Sequence, residues 1–211
     1  MPPECDSPYD VKCMPRQLEF ATRKRKASFL AGRLCAAKAI QSYNPCLSTA
    51  VGMDRGGAPI WPDGVVGSIT HTDRYVSAAV GSKNQWLGIG IDSEEIIDLD
   101  NVKPLKMLVM LAEESSLFSE SSLSEPELTS LIFSAKESFF KCFHPLGQQR
   151  LDFRSVRIVD IQERSLTFRI HLNHFVGPGF PAGFELMGKY EIGDGVVHTG
   201  IELPSNDQFR P

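Results

Sequence analysis

Two stretches of the chain repeat apolar residues at helical spacing, and short alternating runs lie between and after them. Over residues 17–43, Ala27, Leu30, Ala31, Leu34, Ala37 and Ile40 recur at three and four, which predicts an amphipathic helix stopped by Asn44-Pro45. Over residues 127–144, Leu128, Leu131, Ile132, Ala135, Phe139 and Cys142 form a second such stripe, ended by Pro145. A third helix is predicted over 103–118, followed by a Ser-rich acidic loop at 115–126. Runs at 65–72, 75–80 and 86–94 read as an antiparallel meander with Thr72-Asp73-Arg74 as its first turn. Four more strands are predicted at 153–161, 166–172, 183–192 and 196–203, with Asp194-Gly195 as a hairpin turn. Residues 1–15 read as a loose arm. Helix then meander, twice, predicts an α+β fold of two similar lobes, roughly 1–91 and 92–211.

The strand at 86–94 carries the first candidate chemistry. Side chains alternate along a strand, so Leu87, Ile89 and Ile91 share one face and Gly90, Asp92 and Glu94 the other. Two neighbouring carboxylates repel unless a cation or proton lies between them, and magnesium is the natural oxygen-seeking occupant. The alternative is a strand running out into an acidic turn, since Glu95 and Asp98 follow. The glycine before the acids leaves room for something to come close. Glu137 and Lys141, four apart on the second long helix, form either an intrahelical salt bridge or part of a site. The group Arg23-Lys24-Arg25-Lys26, with Arg33 two turns after Arg25, is a solvated face, a nucleic-acid patch or a grip on one phosphate. The Gly- and Pro-rich loop at 51–64 holds Arg55 and Trp61, and His71 ends a strand.

Composition narrows these choices. Hydrophobic residues make up 42% of the 211 and charged residues 23%, so a sizeable core is available. The net charge of −4 provides no bulk basic field for nucleic acid. No apolar run approaches the ~20 residues of a membrane-spanning helix. The first residues lack the basic-then-apolar order of a secretory signal. Five cysteines, Cys5, Cys13, Cys35, Cys46 and Cys142, show no CxxC spacing, which favours a reducing cytoplasm over a disulfide framework or zinc site.

Taken together, Gly88-Ile89-Gly90-Ile91-Asp92-Ser93-Glu94 and Phe133-Ser134-Ala135-Lys136-Glu137-Ser138-Phe139-Phe140-Lys141 resemble the paired signatures of the 4′-phosphopantetheinyl transferases, G-[IV]-D-x-E and [FW]-[SC]-x-K-E-[SA]-x-x-K. Lys24-Arg25 with Phe29-Leu30-Ala31-Gly32-Arg33, Pro59-Ile60-Trp61-Pro62 and Gly67-Ser68-Ile69-Thr70-His71 look like the enterobactin synthetase component D subgroup. The resemblance implies two related α+β lobes with coenzyme A in the cleft between them. It also implies transfer of the phosphopantetheine arm to a serine of an apo carrier protein, releasing adenosine 3′,5′-bisphosphate. By similarity, Asp92, Glu94 and Glu137 would hold magnesium, with Glu137 favoured as the base and Glu94 as the second candidate. His71 and Lys141 would contact the pyrophosphate with Lys136 and Thr70 close by, Arg25 and Arg33 would bind the 3′-phosphate, and Arg55 would sit near the nucleotide. Ser93 stands where the family commonly has an aliphatic residue, and Ala58 where a basic one often precedes the proline. The expected partners are coenzyme A and acidic carrier domains, met by a cytoplasmic monomer, with no nucleic acid and no membrane span. The competing readings are a magnesium-dependent phosphohydrolase, a non-catalytic coenzyme A-binding regulator and a nucleic-acid binder.

Overall fold

The structure, a computed structural model, describes residues 14–146 and 151–205. The arm at 1–15 therefore lies almost wholly outside the described residues. Helix α1 runs over Arg23–Tyr43 rather than from residue 17, because Thr22 caps it by accepting from the Arg25 N–H at 3.2 Å. Asn44 ends it as expected. The buried face is Gly32, Arg33, Ala36, Ala37 and Ile40, displaced from the predicted stripe at its start, where Ala27 is exposed.

Strands β1 (Gly52–Met53) and β2 (Pro59–Ile60) pair as a small hairpin. Strands β3 (Val65–His71) and β4 (Val76–Ser82) form a second, antiparallel from Val65↔Ser82 to His71↔Val76. The anticipated three-stranded meander stops there. Strand β5 (Trp86–Glu95) hydrogen-bonds not to β4 but to the last strand of the chain, in a sheet ordered β5-β9-β8-β7-β6. In this sheet β6 is Val156–Gln162, β7 Thr167–Leu172, β8 Glu185–Gly193 and β9 Val196–Pro204. The β8–β9 turn has Asp194 and Gly195 at φ 52° and 74°, the left-handed pair a tight hairpin demands.

Side chains bridge β3 to β5 instead of a ladder. Ser68 Oγ accepts from the Ile91 N–H at 3.1 Å, and Thr70 Oγ1 accepts from the Ser93 N–H at 2.9 Å. Both pairings advance in the same direction, so the strands run parallel, and two small hydroxyls bond across the gap where no backbone ladder forms.

Helix α2 (Leu99–Val109) carries Pro104 in its second turn, and a 3-10 turn plus the short α3 (Leu117–Glu120) replace the rest of the predicted 103–118 helix. Helix α4 (Glu125–Phe143) begins in a capping box, with Glu127 Oε2 accepting from the Ser124 N–H at 2.9 Å. All six residues of its predicted stripe are fully buried. Each large aliphatic among them contributes about 2 kcal/mol. They pack on Val156, Ile158, Phe168, Ile170, Leu172, Ile201 and Leu203 from the sheet.

Candidate active site

The glycines of the acidic strand admit a helix, not a ligand. A Cβ on Gly90 would lie 1.8 Å from the Ser138 carbonyl oxygen, and one on Gly88 2.0 Å from that of Cys142. Helix α4 therefore lies directly on β5. This contact sets residues near the end of α4 beside the acids of β5.

A cavity of about 570 Å3 opens at that junction, and α1, the loop before β3, β3, β5 and α4 all line it. Asp92, Glu94 and Glu137 line it together, as do Arg25, Arg33, Thr70, His71 and Lys141. Asp92 is buried and almost saturated: Lys141 Nζ donates to Oδ1 at 2.6 Å, Ser134 Oγ to Oδ2 at 2.8 Å, and Thr70 Oγ1 to Oδ1 at 3.3 Å. Of the two readings of Glu137 and Lys141, the intrahelical pair gives way to the site: Lys141 bridges to Asp92 across two elements.

Charge crowding marks the other acids. The Glu94 carboxyl is pushed up to about 7, by burial first and then by Asp92 and Glu137, with Lys141 opposing. Glu137 is also raised, by burial and by Asp92. Hard oxygen donors and unrelieved negative charge fit a hard divalent cation. Among the described residues, however, no three of these groups already stand together in ligating range.

The stability consequence follows from the sign of the Glu94 shift. A carboxyl raised in the folded state favours folding while protonated, and that advantage is lost as pH climbs from its unfolded value near 4.5 through about 7. Glu94→Gln is expected to melt higher than the parent at pH 8, with the gap shrinking at pH 5. Thermal melts at the two pH values check it, and an equal gap at both would contradict the shift.

The cationic rim is equally specific. The Arg25 guanidinium donates to His71 Nε2 at 3.0 Å. Since guanidinium cannot accept, His71 carries its proton on Nδ1. Partial burial, Arg25 and Lys141 all hold the imidazole below its usual pKa, so it is neutral at pH 7. Arg33 is buried, stacks over the Phe29 ring at 4.4 Å and donates to the Gly52 carbonyl at 2.8 Å. Its Nε has no hydrogen-bond partner among the described residues, and burial followed by Arg25 lowers its pKa to about 10.

Two expected ligands lie elsewhere. Lys136 does not face the cavity: it is fully buried, and its Nζ donates to Glu114 Oε2 and the Val109 carbonyl, both at 2.8 Å. One helical step of about 100° from Glu137 turns it away from the cavity, toward the 3-10 turn after α2. Arg55 sits exposed at the tip of the β1–β2 hairpin and is not among the cavity's lining residues, although Gly57, Ala58 and Pro59 beside it are. That turn is closed by Asp54, whose Oδ1 accepts from the Ala58 N–H at 2.8 Å. The unusual Ser93 is accounted for by His198, whose Nδ1 lies 2.8 Å from its Oγ.

Residues 14–81 match the model of the 4′-phosphopantetheinyl transferase N-terminal domain, and residues 88–183 that of the 4′-phosphopantetheinyl transferase superfamily. The chain is 32% identical over 209 residues to the 4′-phosphopantetheinyl transferase Npt of Nocardia iowensis, covering 97% of this chain and 82% of that one. The chain belongs to the 4′-phosphopantetheinyl transferase family. Svp of Streptomyces mobaraensis, of the same family name, is 34% identical over 191 residues, 87% of this chain and 74% of its own. The enterobactin synthase component D of Salmonella typhimurium is 35% identical over 137 residues, 64% and 56% of the two chains. The transferase's described residues contain no helix long and apolar enough to cross a membrane.

Of the hydroxyls around Asp92, the sequence points to Thr70 but not to the cluster of Ser134, Ser138 and Thr199. Ser134 and Ser138 stand inside the quoted signature, but their partner Thr199 lies on β9, in no motif. The buried Glu114 was missed too, since nothing in an acidic stretch distinguishes the one carboxylate that turns inward.

Proposed function

We propose that this transferase moves the 4′-phosphopantetheine arm of coenzyme A to a serine hydroxyl of an apo carrier protein, with magnesium held by Asp92, Glu94 and Glu137. One observation carries the reading: three acids from β5 and α4 line the same cavity as Arg25, Arg33, His71 and Lys141. An anion-lined floor inside a cationic rim suits a metal-bound diphosphate better than either charge alone. Bound there, magnesium would supply charge neutralisation for the diphosphate and its departing half.

The chain's own groups supply the rest. Helix α1 opens with Arg23-Lys24-Arg25-Lys26 and no acid in its first turn, which places cations at the positive end of the helix. That arrangement is unfavourable without an anion, and the 3′-phosphate would supply one to Arg25 and Arg33. The neutral His71 has its Nδ1 proton to donate to a pyrophosphate oxygen. Lys141 stabilises negative charge as the bisphosphate departs. The attacking serine's proton passes to Glu137, with Glu94 the alternative acceptor, since burial and the charge of Asp92 raise both and make each a readier base.

In this reading the fold is two half-lobes, α1 with β3–β4 and α4 with the large sheet, and coenzyme A lies between them. The division near residue 91 falls inside β5, so the strand would belong to both halves. A monomer acting in the cytoplasm on acidic carrier domains completes the proposal.

The test is incubation with coenzyme A, magnesium and an apo carrier, followed by mass spectrometry of the carrier. A gain of one phosphopantetheine is expected, whereas phosphate release without carrier would point to a hydrolase. Arg33→Ala is expected to raise KM for coenzyme A by a factor equivalent to roughly 1.5–3 kcal/mol, the worth of a hydrogen bond to a charged group. Dephospho-coenzyme A, lacking the 3′-phosphate, should be hurt far less, and equal losses would remove Arg33 from that role.

A further inference from the structure

Three hydroxyls are packed against one another next to Asp92, and none lines the cavity. Ser134 and Ser138 are one turn apart on α4, and Thr199 faces them from β9. Ser134 Oγ is 2.8 Å from Asp92 Oδ2 and 2.9 Å from Thr199 Oγ1. Thr199 Oγ1 is 2.6 Å from Ser138 Oγ and 2.9 Å from the Ser134 carbonyl oxygen. Ser134 and Ser138 are fully buried, and Thr199 and Asp92 are 5% and 3% exposed, so bulk water does not compete for these bonds.

Counting protons orients the chain. Each hydroxyl has one proton, and the carboxylate only accepts. Ser134 spends its proton on Asp92, so in the contact between the two hydroxyls Thr199 must donate. The Thr199 proton is thereby shared between Ser134 Oγ and its carbonyl, so Ser138 must be the donor in the 2.6 Å contact. Ser138 Oγ also reaches the Thr199 carbonyl, at a longer 3.2 Å; the hydroxyl-to-hydroxyl contacts run one way, from Ser138 through Thr199 and Ser134 to Asp92, and such chains polarise cooperatively. A helical serine lacking this partner can instead turn back to its own helix carbonyl, four residues earlier.

We propose that Thr199, acting through Ser134, is a positioning residue that holds the Asp92 carboxylate oriented for a divalent cation. Thr199 lies beyond the 88–183 match, and no signature residue reports it. The inference rests on the metal reading above, so the experiment separates the two. Manganese binding to the full chain with coenzyme A and no carrier is followed by electron paramagnetic resonance of the free ion. Thr199→Val is expected to weaken manganese affinity about tenfold, the usual lower cost of removing a hydrogen-bonded partner behind a metal ligand. Thr199→Ser, which restores the hydroxyl, should return it to within about twofold of the parent. The magnesium concentration for half-maximal transfer should rise by the same factor while the KM for carrier barely moves. A Thr199→Val protein that binds manganese like the parent overturns the proposal. Should that variant not fold, Ser134→Ala removes the bond to Asp92 directly, and parental manganese affinity there is equally decisive. A parent chain that binds no manganese with coenzyme A present refutes the metal site itself, a result independent of Thr199.

Discussion

Asp92→Asn is expected to abolish transfer while the chain stays folded. Asp92 receives Lys141, Ser134 and Thr70 at once, and it lies on the floor of the cavity with Glu94 and Glu137. An amide keeps the shape but removes the charge, and its NH2 must face one of three donors. Lys141 loses its counter-ion, and the acid set loses its most firmly held member. A loss of at least about a thousandfold in turnover is expected, equivalent to ~4 kcal/mol in the barrier. Circular dichroism and a thermal melt establish that the variant is folded. A folded Asp92→Asn with turnover near that of the parent would sink the acidic floor as the reaction site.

The second large effect falls on stability. Gly90→Ala adds one methyl where the nearest atoms are the Ser138 carbonyl oxygen at 1.8 Å and the Cys142 nitrogen at 2.7 Å. Both belong to the backbone of α4, so no side chain can turn aside and the helix itself must lift from β5. Ordinary overpacking costs 1–3 kcal/mol, and a clash with helix backbone is expected to reach about 3 kcal/mol or more. In a chain of this size that corresponds to a melting point lower by roughly 6–12 °C. Gly200→Ala on the adjoining strand is the internal control: its nearest neighbour is Ile91 Cγ2 at 3.8 Å, an ordinary contact. The two variants melting alike would show that the close approach of α4 to β5 is not what glycine serves. Since α4 carries Glu137 and Lys141, Gly90→Ala should lower activity as well.

The places where expectation and structure part have separate causes. A repeated helical stripe located α4 within two residues, because six apolar side chains at that spacing have only one face to bury. The first helix was placed six residues too early, since its boundary depends on a single cap, Thr22. The three-stranded meander failed because the alternation of β5 says which residues share a face and nothing about which strand will bond to its edge. That edge went to β9, more than a hundred residues further along the chain. Lys136 and Glu137 are neighbours in one signature, and one helical step of about 100° separates a core ion pair from a cavity wall. Lys136, turned inward, is held by Glu114; burial pulls its pKa down and that partner opposes the fall.

Local spacing was thus enough to specify the long helices, the strand tips, the hairpin at Asp194-Gly195 and the side-by-side acids Asp92 and Glu94, because each depends on residues a few positions apart; Glu137 joined those acids only through the family resemblance. Distant segments had to be brought together before the rest could be known: Lys141 pairing with Asp92, Arg25 fixing the His71 proton, Ser68 and Thr70 joining β3 to β5, and Thr199 reaching α4. Those contacts depend on which strand edge and which helix face meet, and that is settled by the packing of the whole core.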